Sequence, residues 1–241
     1  MTILRPLYRT VWANPRRRSR KLLQFAEIEA DGGRDLVRAA ELVDDPVLRH
    51  RFHAHAHDEA RHAALFRARG LALRSQFPGD ERDVITAEWL APGERGLDDL
   101  RVEDEDAASL LAFIHLSESA AARDFGQYRE VLDNDPLTRA VFDRILRDEE
   151  FHMHYSLAEL ERAAPGRAKY LLWKARIRRL WKAYMRLATA LAGLMAGIVL
   201  TLQYYLLLPP FALLAKHAAR REPRGWTIIG SAERATRNGQ Y

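Results

Sequence analysis

The feature that most constrains this chain is a Glu-x-x-His motif that occurs twice, in phase with the residues around it. Asp58-Glu59-Ala60-Arg61-His62 lines up with Asp148-Glu149-Glu150-Phe151-His152. Upstream, Glu29 with Arg34-Asp35 lines up with Glu118 with Arg123-Asp124. The intervals Glu29 to Glu59 and Glu118 to Glu149 are 30 and 31 residues, and Asp45-Pro46 and Asp135-Pro136 place an Asp 14 residues before each second Glu. On a helix, residues three apart share a face, so each motif aims one carboxylate and one imidazole in the same direction. Glu29 and Glu118 add a carboxylate from each partner helix.

Hydrophobic periodicity and turn signals predict four long helices, at residues 19–43, 46–69, 105–132 and 136–163. Asp followed by Pro is a strong helix start, with Asp as N-cap and Pro at the first helical position. The two hairpins are joined by a crossover over residues 70–104, punctuated by Pro78-Gly79 and Pro92-Gly93. That connectivity predicts an all-α fold, a four-helix bundle with a long crossover between helices 2 and 3. The predicted organisation is an N-terminal arm (1–16), the bundle (17–163), a basic aromatic helix (164–186), a hydrophobic segment (187–215) and a basic polar tail (216–241).

A bundle carrying these side chains inside needs cations. Four ionised Glu contribute four negative charges and two divalent metals cancel them. An empty pocket would crowd the carboxylates at low dielectric and raise their pKa values. The chain has no cysteine, so disulfides, thiolate zinc, iron–sulfur centres and a Cys nucleophile are excluded. Mixed oxygen and imidazole ligands suit iron or manganese better than zinc or calcium.

The set Glu29, Glu59-x-x-His62, Glu118, Glu149-x-x-His152 resembles the ferritin-like carboxylate-bridged di-iron superfamily, over roughly residues 17–163. The resemblance implies two Fe ions, with Mn an option in one or both positions. It implies that Glu59 and Glu149 bridge them, that Glu29 and Glu118 are terminal ligands, and that His62 and His152 bind one each. Asp58 and Asp148 match the Asp of the Asp-Glu-x-x-His form in oxygen-activating members, where it orients a ligand His. Arg61 fits the fuller Asp-Glu-x-Arg-His version and Phe151 does not. Two Glu-x-x-His motifs are unlike classical ferritins, and Ala121 and the absence of Cys are unlike rubrerythrin. Phe66 stands where a radical-storing reductase subunit keeps Tyr. What remains looks like an oxygen-activating oxidase or oxygenase.

Some assignments stay open on sequence alone. Glu27 could replace Glu29, and Glu150 with His154 forms an alternative pair on a neighbouring face. His50, His53, His55 and His57 cluster before Glu59 and read as a largely solvated or hydrogen-bonded group, although His55, four residues before Glu59, could line the site. His115, three before Glu118, could be an extra ligand.

The charge is divided. Residues 1–161 hold 23 Lys+Arg against 31 Asp+Glu, and residues 162–241 hold 15 against 2. No charged residue occurs from Leu187 to Ala215. Residues 187–208 form a stretch that, as a helix rising about 1.5 Å per residue, spans roughly 33 Å, close to a ~30 Å hydrocarbon core. Pro209-Pro210 is expected to end it. Tyr170, Trp173, Trp181 and Tyr184 alternate with cations just before it, which suits membrane lipid headgroups rather than nucleic acid. Gly193-x-x-x-Gly197 permits close helix association and a homodimer. No secretory signal is read near the N-terminus, and the excess of basic residues before the span predicts the bundle on the cytoplasmic side of a bacterial inner membrane. Together these features predict a membrane-anchored di-iron oxidoreductase that uses O₂ and an external electron donor on an apolar or lipid-like small molecule. A tethered ferroxidase or peroxidase, and a non-catalytic metal-stabilised adaptor, are the rival expectations.

Overall fold

A computed structural model describes residues 5–77 and 101–220, and every regular element among them is helical. Helix α1 is Arg5–Ala13, α2 Pro15–Leu42, α3 Pro46–Arg74, α4 Ala107–Glu130, α5 Pro136–Ala163, α6 Ala168–Leu206 and α7 Leu208–Ala219, with a 3-10 turn at Val102–Asp104 before α4. The expected turns at Pro78-Gly79 and Pro92-Gly93, and the basic tail from residue 221 onward, lie outside the described residues.

Three of the long helices begin with the same device. Asn14, Asp45 and Asp135 each accept a hydrogen bond from a first-turn N–H, and Pro15, Pro46 and Pro136 follow them at the position where a missing N–H costs nothing. Asp106 caps α4 through the Ser109 N–H at 2.7 Å. Gly166 takes φ of +73° in the short link from α5 to α6, the left-handed region that glycine enters without penalty.

The residues divide into two compact units, Met1–Arg179 and Leu180–Tyr241. Within the first, α2 packs on α3, α4 on α5, and α3 on α5. Two apolar clusters show how the helices run. One joins the end of α2 (Leu36, Ala40), the start of α3 (Leu48, Phe52), the start of α4 (Leu111, Ile114) and the end of α5 (Leu160). The other joins the start of α2 (Leu22), the end of α3 (Phe66), the end of α4 and the turn after it (Phe125, Leu132) and the start of α5 (Phe142). Each hairpin is therefore antiparallel. The chain leaves α3 at one end and re-enters α4 at the other, since Val102 already belongs to the first cluster. Between the clusters lies the middle of all four helices, where Glu29, Glu59, Glu118 and Glu149 sit.

Two elements differ from the expected organisation. The stretch expected as an N-terminal arm contains α1, whose Trp12 is buried in the second cluster, its ring tilted against Tyr128 at 4.9 Å and edge-on to Phe142 at 5.4 Å between centroids. The basic helix and the hydrophobic segment are one helix, α6, because nothing between residues 168 and 206 breaks backbone hydrogen bonding. The interruption falls at Leu207, and Pro209 and Pro210 occupy the first turn of α7.

In the second unit no described residue is buried. Between Leu187 and Ala215 its side chains are apolar on every face, with Leu191, Met195, Val199, Leu200 and Tyr204 all exposed. Residues Ala168–Ala219 include a stretch of mean hydropathy 1.8, none of it buried, long and apolar enough to cross a membrane.

Candidate metal centre

All six side chains singled out by the repeat meet in the middle of the first unit. Glu59 and His62 come from α3, Glu149 and His152 from α5, and all four are buried. Glu118, from α4, is buried too, and Glu29, from α2, is partly so. Two sets of ligand atoms form, each within 4.8 Å of one another: Glu29, Glu59, His62 and Glu149, and His55, Glu59, Glu118 and His152. A buried His/Glu cluster of this kind could bind a metal ion. The resemblance implies two bridging carboxylates; in this geometry Glu59 belongs to both sets and Glu149 to one.

The close approach of α2 to α3 at this level depends on Gly33. A Cβ there would lie 3.3 Å from Glu59 Cβ and 3.4 Å from the Ala56 carbonyl oxygen. Glycine thus lets the two backbones come near enough for Glu29 to reach Glu59.

Each expected imidazole is held from behind by the acid of the other repeat. His62 Nε2 lies 3.0 Å from Asp148 Oδ2, and His152 Nε2 lies 3.2 Å from Asp58 Oδ2. Arg61 joins both acids, at 2.5 Å from Asp58 and 3.0 Å from Asp148. With Nε2–H donated to a carboxylate, Nδ1 carries the lone pair, and in both rings Nδ1 faces the Glu cluster. His62 Nδ1 is 3.7 Å from Glu59 and 3.6 Å from Glu149, and His152 Nδ1 is 3.6 Å from Glu59. Both Nδ1 atoms and Glu149 Oε2 are buried with no hydrogen-bond partner. Orphaned inward-facing nitrogens beside carboxylates fit a cation and fit little else.

The electrostatics agree. Burial, then repulsion from Glu59, pushes Glu29 well above the ordinary carboxylate range. Burial and Glu118 do the same to Glu149, and burial raises Glu118. Glu59 goes the other way: burial opposes its charge, but hydrogen bonds from Glu29 and His55, together with the nearby His62 ring, outweigh it and hold the group well below that range. His152 is lowered to about 4 by burial and by neighbouring His55. For His62, burial is outweighed by Glu59 and Asp148, and the net shift is upward. The metal-free pocket thus shares protons among its carboxyls, and cations would displace them.

Among the described residues left open by the sequence, His55 falls in a ligand set, and Glu27, Glu150, His154 and His115 do not. Glu27 pairs with Arg67 at 2.7 Å, away from the cluster. Glu150 and His154 are exposed. His115 Nδ1 contacts the Met153 carbonyl oxygen at 3.0 Å and is in neither ligand set. His50, His53 and His57 are exposed, as a solvated group should be, but His55 is buried inside the pocket. Its four-residue spacing from Glu59 was the available signal. Tyr155, whose hydroxyl lies 2.6 Å from His55 Nδ1, carried no signal in the sequence pattern.

No family model, curated protein or solved structure matches this chain.

Proposed function

We propose that the chain is a membrane-anchored di-metal oxidoreductase of the ferritin-like type, activating O₂ to oxidise or oxygenate an apolar or lipid-like substrate. The observation that carries this reading is the pair of orphaned, inward-facing imidazole nitrogens, His62 Nδ1 and His152 Nδ1, beside carboxylates that share Glu59. Two antiparallel hairpins with a return crossover, each contributing Glu and Glu-x-x-His to one centre, support the ferritin-like assignment. Mixed nitrogen and oxygen donors favour iron, with manganese as the substitute. When bound, the two cations supply the redox equivalents for O₂ reduction, with electrons from an external donor. The protein's own part is to orient: Asp58 and Asp148 fix the ring tautomers, Arg61 holds both acids, and burial keeps bulk water from the pocket.

The apolar stretch of Ala168–Ala219 motivates the substrate class and the anchor, since a chain held at a bilayer meets solutes dissolved there. The excess of basic residues before the span favours a cytoplasmic bundle at a bacterial inner membrane.

The test is anaerobic loading of the full-length protein in detergent with Fe(II), followed by O₂, with optical spectra and oxygen uptake recorded with and without extracted lipid. Two irons per chain and lipid-dependent oxygen uptake are expected. Rapid turnover of Fe(II) or peroxide with no effect of lipid would replace this reading with ferroxidase or peroxidase activity. An oxygen-inert pair of metals would make the centre structural.

A further inference from the structure

We infer that the two positions of the pocket are unequal and fill in order, the position that includes His55 first. This rests on the di-metal reading above and adds a third imidazole to it.

His55 points a nitrogen at the carboxylates. Its Nε2 is 2.9 Å from Glu59 Oε1 and 3.6 Å from Glu118 Oε1, and the ring lies against that of His152, with centroids 3.7 Å apart. Its far nitrogen is held from behind, as in the other two imidazoles: Nδ1 is 2.6 Å from the Tyr155 hydroxyl. A buried imidazole fixed at one nitrogen and aimed at carboxylates with the other is a prepared ligand. One position therefore offers two nitrogens and two carboxylates (His55, His152, Glu59, Glu118). The other offers one nitrogen and three carboxylates (His62, Glu29, Glu59, Glu149).

The inequality is written into the chain. Four residues before Glu149, where the second repeat would carry a partner for His55, stands Ile145, fully buried in an apolar cluster. Three residues after His62, opposite Tyr155 in the repeat, stands Leu65. Both members of the His55–Tyr155 pair are thus additions to the repeated set. The chemistry follows from donor type. Imidazole-rich positions favour cobalt, iron and zinc, whereas carboxylate-rich positions accept manganese comparatively well. The third imidazole makes the first position the tighter one for the later metals.

The experiment titrates the metal-free, full-length protein in detergent with Co(II) under anaerobic conditions, following the visible ligand-field bands. Two resolved steps of one equivalent each are expected. Mn(II) added after the first equivalent should then enter without displacing cobalt, giving a mixed pair visible by electron paramagnetic resonance. His55→Gln, checked for native helicity, should weaken the first step at least tenfold and leave the second in place. Two cobalts binding in one indistinguishable step, or manganese displacing the first cobalt, overturns the inference in the unmodified protein, whatever the variant does. An unchanged first step in His55→Gln overturns it as well. Binding of fewer than two cobalts would instead overturn the di-metal reading beneath it.

Discussion

His62 on α3 and Asp148 on α5 meet at 3.0 Å across the seam between the two hairpins, and His152 and Asp58 make the reciprocal contact at 3.2 Å. The acid that precedes each Glu in the sequence therefore serves the histidine of the other repeat. Folding one hairpin alone would leave both rings without their orienting partner, so the site exists only when the hairpins are docked. Asp148→Asn keeps the shape of the side chain and removes its charge. We expect it to lower metal affinity by about 10–100-fold, the usual loss when the carboxylate behind a ligand imidazole is removed. Competition against a chelator of known affinity, with circular dichroism to check the fold, measures this. Unchanged affinity in both Asp148→Asn and Asp58→Asn would remove the orienting role.

Gly33 sets the distance between α2 and α3 where the site lies. Any Cβ there would meet Glu59 Cβ at 3.3 Å, and a branched side chain would also press on the Ala56 carbonyl. Gly33→Val should cost about 1–3 kcal/mol by overpacking. It should also lower metal occupancy, because Glu29 is carried away from Glu59. Denaturant melts and metal stoichiometry read the two effects separately. A fully loaded Gly33→Val protein would show that Glu29 is dispensable.

The six core side chains were legible because their evidence is spacing, which survives without any knowledge of packing. His55 was obscured by company. It stands among His50, His53 and His57, all exposed, and beyond its four-residue spacing from Glu59 what sets it apart is burial and a contact with Tyr155, a hundred residues away. The buried face of α3 runs Leu48, Phe52, His55, Glu59, His62, Phe66. An apolar-periodicity reading fails in the middle of that stripe because the pocket replaces the core there. Trp12 was illegible for another reason: α1 is short, and its burial depends on Tyr128 and Phe142 from distant parts of the chain. Charge divides α6 at residue 186 in the sequence, while its backbone runs on unbroken from Ala168 to Leu206.

The shared protons of the pocket make the stability of the metal-free protein depend on pH. Glu29, Glu118 and Glu149 are raised above their ordinary value of 4.5, so from there upward the folded state holds more protons than the unfolded state and loses stability as pH rises. His55 and His62, raised above 6.5, act in the same direction beyond that value. His152, lowered to about 4, opposes them only between that value and 6.5, and the depressed Glu59 opposes them only below 4.5. Above pH 6.5 the site therefore acts in one direction. The Tm of chelator-stripped protein should fall with rising pH, and two bound cations should flatten the slope by replacing those protons. Thermal melts across pH 6.5–9 with and without metal check it, and parallel slopes in the two forms would count against the assignment.

The two Asp-Pro turns look alike in sequence but differ in what they carry. Asp45 caps α3 near the surface and pairs with Arg162. Asp135 caps α5 while buried, accepting hydrogen bonds from Thr138 and Arg69 and lying 3.0 Å from buried Arg18. Removing Asp135 leaves the Arg18 guanidinium buried with its countercharge gone, the circumstance in which breaking a buried pair is costly. Asp135→Ala should therefore destabilise the protein by about 3–5 kcal/mol, and Asp45→Ala by much less, although both remove one helix cap. Urea melts of the two variants side by side give the comparison. If Arg18→Met is combined with Asp135→Ala, most of the lost stability should return, because the double variant no longer buries the Arg18 guanidinium without its countercharge. A double variant no more stable than Asp135→Ala would assign the loss to the cap and the Arg69 contact instead.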